Sequence, residues 1–465
     1  MTELSYLTAS ELAPLIKNKQ LSPVELTESL LNRIEQVNQS VNAYITIIPE
    51  IALEEARHAE NQIMNGFYKG PLHGIPIGHK DNFNTKGIRT TSGSKLLYDY
   101  IPKEDATVVE KLSCSGAIML GKLNLHEFGG GQTNTNQYYG HARNPWNLSY
   151  TPGGSSGGSS AALAAGLTPI ATGTDTFGSI RLPSAWAGVY GIKPTYGLVS
   201  GYGLLNLARS MDHGGPMARS VKDLALMLNV MAGYDSKDPA SIKAPIPDYC
   251  ENLNKGIKGV KIGVPSYFLK GLDADVERLF KQAIYKLEGL GANVKEIDIP
   301  ELEMAAYAGY VTVTGEAANL YQEMLQESAK DFNLDVRIFM ETGFLTNSNE
   351  YIRAQQVRRE MTEAFKKAYE DVDILIGPTA PLTAYPYQSN WVQQNLEVMQ
   401  RLIPFTSPTT LTGTPNLSVP IGLSSEGLPS GMQIMGNHLN EKLIFQVGSA
   451  WESTNPLGGQ LPMLR

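Results

Sequence analysis

The sequence predicts an α/β protein built around one continuous core. Short apolar segments broken by glycine and proline, such as GIPIGHK from Gly74 and LTPIATGTDT from Leu167, are typical of buried strands. Helical patterns alternate with them, as in residues 273–290 and 353–369. This alternation indicates an α/β sheet, and no charged or serine-rich linker divides the chain.

The first 65 residues are predicted to form helices that wrap this core. A helix start is indicated at Ser22, which precedes Pro23 and has Glu25 three positions later. Much further along, residues 304–400 are rich in Tyr, Met and Phe at mainly helical spacing. This spacing fits either core packing or the lining of a binding cavity, and both interpretations stay open.

Composition and charge narrow the class of protein. The chain has 42% hydrophobic and 18% charged residues, as expected for a globular protein with a real core. Its formal charge is −8 without a long basic run, which makes a nucleic-acid backbone a poor partner. The N-terminal segment lacks the pattern of a secretion signal, and apolar stretches are shorter than the roughly 18 to 20 residues that span a bilayer. We therefore expect a cytoplasmic protein without a membrane partner.

Metal-binding patterns are absent from the sequence. The two cysteines, Cys114 and Cys250, are isolated, and the seven histidines are scattered. His126 and Glu127 are not followed by the second histidine of a zinc helix. We therefore expect neither a metal ion nor a cofactor.

Residues 151–165, TPGGSSGGSSAALAA, form the first candidate functional segment. Four glycines and four serines run into an alanine-rich helix. Glycines permit positive φ angles and close backbone approach, and the start of a helix leaves free N–H groups that suit negative charge. The segment is therefore predicted to be an anion site or a nucleophile loop, since the regular elements around it disfavour a flexible linker.

Other known motifs fit this region poorly. Gly153, Ser155 and Gly157 satisfy the G-x-S-x-G elbow of α/β-hydrolases, but a poor strand precedes them and only two histidines follow. The loop lacks the Gly-Lys-Ser/Thr ending of a phosphate-binding P-loop. Ser92 and Lys95 form an S-x-x-K pair without the later motifs of a β-lactamase.

A second serine-containing turn decides between these interpretations. Residues 173–197, GTDTFGSIRLPSAWAGVYGIKPTYG, place Ser179 24 residues after Ser155. Together the two segments resemble the amidase signature family, whose pattern is a GGSSGGS loop followed by GTDxGGSIRxPA and GxKPTxG. The family's upstream lysine is matched by Lys80 in PIGHKDN, 75 residues before Ser155. The resemblance extends over most of the chain, to GTPNLSVPIGLSSEGLPSGMQIMG near its end.

The resemblance implies a fold and an activity. The amidase signature fold is a single large domain, here residues 1–465, with a central mixed, mostly parallel twisted sheet covered by helices on both faces. Residues 66–235 are expected to hold the catalytic triad, and residues 236–465 the rest of the sheet and a variable substrate-pocket region. The implied enzyme is an amidase that hydrolyses a carboxylic amide C–N bond to an acid and ammonia or an amine through an acyl-serine intermediate.

The resemblance also assigns roles to individual residues. It implies that Ser179 is the nucleophile, that Ser155 is a proton relay on a cis peptide after Gly154, and that Lys80 is the general base. A lysine can act as a base only when its ammonium form is disfavoured, so Lys80 is expected to be buried and largely neutral. The implied oxyanion hole consists of the backbone N–H groups of Thr176, Phe177, Gly178 and Ser179. The implied supporting positions are Gly154, Ser156, Asp175 and Arg181.

One position departs from the family pattern. Where the family has Gly-Gly-Ser, this chain has Phe177-Gly178-Ser179, and phenylalanine adopts a positive φ less readily than glycine. Either the turn is strained or displaced, or its angles suit any residue and the ring lines the pocket. We favour the second interpretation, in which Phe177 narrows the acyl site, because Asp175 and Arg181 on either side match the pattern.

Two alternatives to a free-standing amidase remain. The glutaminase (A) component of a tRNA-dependent amidotransferase shares the triad and releases ammonia for a partner. A catalytically silent binding protein would keep the fold without the chemistry. For the leading interpretation we expect a small-molecule amide substrate, no nucleic acid, no membrane, and a homodimer as the only protein partner considered.

Overall fold

The computed structural model describes residues 4–462 and 464, which form one eleven-stranded sheet and fourteen α-helices. The strands are β1 (Tyr44–Ile47), β2 (Pro76–Lys80), β3 (Ile118–Leu123), β4 (Ile170–Asp175), β5 (Tyr190–Lys193), β6 (His213–Ala218), β7 (Lys261–Pro265), β8 (Asn293–Ile297), β9 (Ile374–Pro378), β10 (Asn416–Leu423) and β11 (Pro429–Met435). The helices are α1 (Ala9–Lys17), α2 (Pro23–Val41), α3 (Pro49–Met64), α4 (Thr107–Cys114), α5 (Gly157–Ala164), α6 (Arg181–Ala187), α7 (Val221–Met231), α8 (Ala274–Gly289), α9 (Ala305–Leu320), α10 (Gln322–Ser328), α11 (Leu334–Glu341), α12 (Ser348–Asp371), α13 (Trp391–Thr412) and α14 (Glu441–Glu452).

The sheet is mixed, with the strand order β1-β3-β2-β4-β6-β5-β10-β11-β9-β7-β8. The strands β3, β2 and β4 run parallel to one another, and so do β9, β7 and β8. Between these two parallel groups the strands β6, β5, β10 and β11 pair antiparallel. The predicted α/β fold is confirmed. The mixed sheet is also confirmed, but the expectation that it is mostly parallel is wrong: among the described strands, six pairs are antiparallel and four are parallel. The reason is that the four central strands alternate in direction and β1 pairs antiparallel at the edge.

The N-terminal segment contributes helices and one strand. The helix start predicted at Ser22 is confirmed, since its Oγ accepts the Val24 N–H at 2.9 Å and the Glu25 N–H at 3.3 Å. Glu25 accepts the Ser22 N–H in return, which completes a capping box. The apolar faces of α1 to α3 pack into the main core, and β1 pairs antiparallel with β3 at the sheet edge.

Neither core packing nor the lining of a binding cavity describes the whole segment of residues 304–400. Tyr321 and Phe339 are buried in a second apolar cluster, which also contains Phe177. Met324 and Phe344 are exposed instead. Within residues 4–462 and 464, no helix is long and apolar enough to cross a membrane.

Candidate active site

Lys80 ends β2 inside the protein, where the parallel strands β2 and β4 finish side by side. Its side chain has no exposed surface. The Nζ atom donates to Ser155 Oγ at 2.7 Å and to Thr174 Oγ1 at 2.7 Å. Asn82 donates its amide to the same Thr174 oxygen at 3.1 Å, which fixes that hydroxyl beside the amine. The ammonium form of Lys80 therefore meets neutral oxygens rather than a carboxylate.

The surroundings of Lys80 favour its uncharged form. Burial lowers the pKa of Lys80 from 10.5 to about 7, and the negative charges of Asp175 and Asp212 offset only part of that effect. In a large fraction of the molecules, the Lys80 amine is then neutral at physiological pH. This amine can accept a proton from the hydroxyl that it contacts.

Ser155 approaches Lys80 from the glycine-rich loop before α5. The peptide bond between Gly154 and Ser155 is cis, as the resemblance implies. A Cβ at Gly154 would lie 2.8 Å from the backbone nitrogen of Asn134, so glycine is required there. The His126 N–H donates to the Ser155 carbonyl at 3.1 Å, which holds the loop in place.

Ser156 joins this loop to the second serine turn. Its Oγ donates to the Thr174 carbonyl at 3.2 Å and accepts the Thr174 N–H at 3.3 Å. Its own N–H donates to the Ser179 carbonyl at 3.1 Å. One residue therefore holds the end of β4 and the Ser179 backbone in a fixed relation.

A buried ion pair organises the turn that carries Ser179. The Arg181 guanidinium binds both carboxylate oxygens of Asp175, with Nε and Nη2 each at 2.9 Å. The same carboxylate accepts the Gly178 N–H at 2.8 Å and the Ile180 N–H at 3.2 Å. Although burial raises the pKa of Asp175, Arg181 holds it below its usual range. A permanent carboxylate thus shapes the turn between β4 and α6.

The turn leaves several backbone donors available. Gly178 has φ +95°, which glycine tolerates, whereas Phe177 does not adopt a positive φ. The strained-turn alternative for Phe177 therefore does not apply. Since Gly178 donates to Asp175, it is already satisfied. In the described part of the chain, no protein acceptor pairs with the N–H groups of Thr176, Phe177 or Ser179.

The Phe177 side chain reaches away from the turn into the helical segment. A Cβ at Gly309 of α9 would lie 2.8 Å from the Phe177 ring and 3.0 Å from Ser407 of α13. The ring therefore fills the space between these two helices. Gln132 donates its amide to the Phe177 carbonyl at 2.6 Å.

A narrow space lies beside the end of β4 and the start of the second serine turn. Its walls include Asn82, Gly129, Thr174, Thr176 and Asp212. Through Leu204, Asn206 and Asp212 it adjoins an open cavity of about 470 Å³.

Sequence reasoning missed several residues that the fold brings to this site. Asn82 and Thr174 lie inside the recognised motifs, so their position beside Lys80 and Ser179 was a usable signal. Gln132 and Asp212 carry no comparable signal, because only the folded chain brings them to the turn. Conversely, no group of three or more His, Cys, Asp or Glu side chains in the described residues is arranged to hold a metal ion.

Comparison with known proteins places the whole chain among amide-cleaving enzymes. The family model described as Amidase matches residues 25–445. The A subunit of glutamyl-tRNA(Gln) amidotransferase from Geobacter sp. (strain M21) is 42% identical over 475 residues, covering 97% of each chain. A bacterial aryl acylamidase of the amidase signature family superposes with a TM-score of 0.90 at 30% identity, covering 97% of each chain. The A subunit of glutamyl-tRNA(Gln) amidotransferase from Thermotoga maritima gives a TM-score of 0.86 at 31% identity, covering 100% of this chain and 99% of that one.

These relatives contradict the partner prediction. The sequence led us to expect a small-molecule amide, no nucleic acid, no membrane, and at most a second copy of the chain. Two of these relatives, from Geobacter sp. and Thermotoga maritima, are named as one subunit of an enzyme, and that enzyme's name includes a tRNA. The prediction is wrong because a net charge of −8 averages over the whole surface and carries no information about partner subunits.

Proposed function

Because this chain belongs to the amidase signature family and hydrolyses amide C–N bonds, we propose that Ser179 is its nucleophile, Ser155 its proton relay and Lys80 its general base. The contact that carries this proposal is the 2.7 Å hydrogen bond between Lys80 Nζ and Ser155 Oγ. A buried amine with a pKa of about 7 has the right basicity to work through that hydroxyl near neutral pH.

Acylation begins when the Ser179 hydroxyl attacks the amide carbonyl carbon. Its proton passes to Ser155 Oγ while the Ser155 proton moves to Lys80 Nζ. The carbonyl oxygen becomes an oxyanion, which the unpaired N–H groups of Thr176, Phe177 and Ser179 are available to stabilise. We place Gly178 differently from the sequence prediction: its N–H shapes the turn through Asp175 rather than binding the oxyanion.

Collapse of the tetrahedral intermediate returns the proton. The C–N bond breaks as Lys80 gives its proton back through Ser155 to the leaving nitrogen, and ammonia or an amine departs. Water then attacks the acyl-serine, with the same relay removing its proton. Hydrolysis of the ester releases the acid and restores the Ser179 hydroxyl. Lys80 gains one proton in each attack and gives it back in each collapse, so the cycle ends with all three side chains in their starting protonation states.

A second candidate is the glutaminase component of a multi-subunit amidotransferase. The 42% identity to the A subunit of such an enzyme, over nearly the full length of both chains, favours it. In this role the chain would use the same triad on glutamine and depend on partner subunits. The cytoplasmic location and the division at residues 65 and 235 stay predictions under either candidate.

Covalent labelling of the purified chain tests the proposal. We expect a fluorophosphonate probe to modify Ser179 alone, as located by peptide mass spectrometry. Release of ammonia or amine from a panel of aliphatic, aryl, peptide and carbamate substrates, with glutamine included, then identifies the substrate class. Glutamine cleavage that appears only with partner subunits would favour the second candidate. Absence of an adduct at Ser179 would instead identify a catalytically silent binding protein.

Phe177→Gly is expected to change the substrate profile. Phe177 is two residues from Ser179 in the chain, and removing its ring opens the space between α9 and α13. If acyl groups extend into that space, kcat/KM for bulky acyl groups should rise by about 10-fold relative to small ones. A series of amides of increasing acyl size measures this ratio. Phe365→Leu is the control, because Phe365 is buried in the same apolar cluster on α12. An unchanged profile in Phe177→Gly would count against a role of the ring in the acyl site.

A further inference from the structure

Asp212 lies directly before β6, where the chain passes the second serine turn. Pairing of β4 with β6 sets Asp175 opposite His213, which brings Asp212 beside Thr176. Building on the proposed function, we propose that Asp212 is a positioning residue that fixes the Thr176 end of the oxyanion turn and sets the electrostatic environment of Lys80.

The contacts of Asp212 all fit an ionised carboxylate. One oxygen accepts the Thr176 hydroxyl, and the other accepts the N–H groups of Leu207 at 2.8 Å and Ala208 at 3.0 Å. Each partner is a donor, and a carboxylate is a pure acceptor. Asp212 therefore joins the turn of residues 176–179 to the loop of residues 205–212.

That loop is itself held against the helical segment, which gives Asp212 a fixed position. The Ser210 N–H and hydroxyl donate to the two carboxylate oxygens of Glu316 on α9, at 3.0 Å and 2.5 Å. Arg358 on α12 donates to Ser210 Oγ at 3.0 Å and to the Ser210 carbonyl at 2.8 Å. Displacement of Thr176 would therefore disturb the hydrogen-bond network that links it, through Asp212 and the loop of residues 205–212, to α9 and α12.

Asp212 also acts on Lys80 through its charge. The negative charge of Asp212 raises the pKa of Lys80, against the larger lowering by burial. The other ionisable groups that face Asp212 are Glu316, Tyr196 and Tyr321. Burial raises the pKa of Asp212 itself to about 7, so Asp212 and Lys80 lose protons over the same pH range. Activity needs both groups deprotonated and should fall steeply on acidification through about pH 7.

Asp212→Asn tests both parts of the proposal in the full-length chain. The amide cannot accept the loop N–H groups with its nitrogen, and it carries no charge. We expect kcat at the pH optimum to fall about 10-fold to 100-fold with KM nearly unchanged, as for a weakened oxyanion hole. The acidic limb of the kcat profile should move to lower pH and become shallower, because one of two titrating groups is gone. Asp235→Asn is the control, since Asp235 accepts the hydroxyls of Thr107 and Ser200 away from the triad.

The outcomes separate this proposal from the function on which it rests. Failure of the wild-type chain to label at Ser179 would remove the proposed function. Normal wild-type labelling with an unchanged rate and acidic limb in Asp212→Asn would overturn the Asp212 proposal alone, and so would a parallel loss of rate in Asp235→Asn. If Asp212→Asn does not fold, Thr176→Val removes the hydroxyl donor and keeps the charge. It should then lower kcat without moving the limb to lower pH, and an unchanged kcat would overturn the proposal.

Discussion

Ser179→Ala should lower kcat on every amide substrate by about 10⁴-fold to 10⁶-fold, the range seen when an acyl-transfer enzyme loses its nucleophile. The side chain of Ser179 is almost fully buried and makes no hydrogen bond within the described residues, so its removal should not weaken the fold. A steady-state rate assay together with a thermal unfolding midpoint measures both effects. We expect the rate to collapse while the midpoint stays within a few degrees of wild type.

Ser184→Ala is the matched control for Ser179→Ala. Ser184 is also buried, but its hydroxyl donates to the carbonyl of Ile180, the residue before α6, at 2.8 Å. Because that hydroxyl is already engaged by a backbone carbonyl, this substitution should leave kcat within a few-fold of wild type. Turnover by Ser179→Ala above about 1% of the wild-type rate would assign the nucleophile to another group. Retained labelling by the fluorophosphonate probe would lead to the same conclusion.

The three residues that we propose as the triad could be proposed from the sequence because each lies in a recognisable local motif. Lys80, Ser155 and Ser179 each lie in a short segment that contains glycines. The packing around those glycines leaves no room for a side chain. A Cβ at Gly178 would lie 2.5 Å from Thr406, and one at Gly154 would meet the backbone of a neighbouring loop. Such requirements keep a motif recognisable from sequence alone.

Features that depend on distant parts of the chain could not be read in this way. Asp212 follows Thr176 by 36 residues and reaches it only through the antiparallel pairing of β4 with β6. The direction of that pairing is also why the sheet contains more antiparallel neighbours than expected, since alternating strands and helices do not specify the reversed strands at the centre. Phe177 shows the same limit. Neither the absence of a positive φ at this residue nor the packing of its ring against Gly309 could be deduced from the sequence.

Lys80→Met should lower kcat by about 10³-fold to 10⁵-fold, because Lys80 Nζ is the base that contacts Ser155 Oγ and would take its proton. Methionine fills a similar volume without an amine, which limits the cavity that the substitution leaves. Kinetics on the best substrate from the amide panel measures the loss. Full turnover by this variant would remove Lys80 from the mechanism.

Lys122→Met is the control, because it removes a buried lysine that we do not propose as a base. Lys122 lies on β3 opposite His79, is fully buried, and has a pKa lowered to about 8 by burial. Its amine donates to the Phe83 carbonyl at 2.5 Å and to the hydroxyls of Thr85 and Thr90, each at 2.9 Å. Its amine also lies 3.7 Å from the buried carboxylate of Asp81. We expect Lys122→Met to lose stability because it leaves that carboxylate without its cation, but to keep its chemistry, since none of these partners is Ser155 or Ser179.

The pH dependence of kcat in the wild-type chain should report on Lys80, because its Nζ is the amine that is hydrogen-bonded to Ser155 Oγ. Protonated Lys80 cannot accept the relay proton, so kcat should rise with pH through about 7, the pKa of Lys80 in the fold.

In the unfolded chain the pKa of Lys80 is 10.5, so between about pH 7 and 10.5 the unfolded state binds more protons than the folded state. The contribution of Lys80 to the stability of the wild type therefore increases with pH across that window, and at its lower end the burial of this amine costs the fold about 5 kcal/mol. Lys80→Met lacks this cost, so its unfolding midpoint at pH 7 should equal or exceed that of wild type while its activity is lost. A large fall in the midpoint together with the rate would show that Lys80 supports the fold rather than the chemistry.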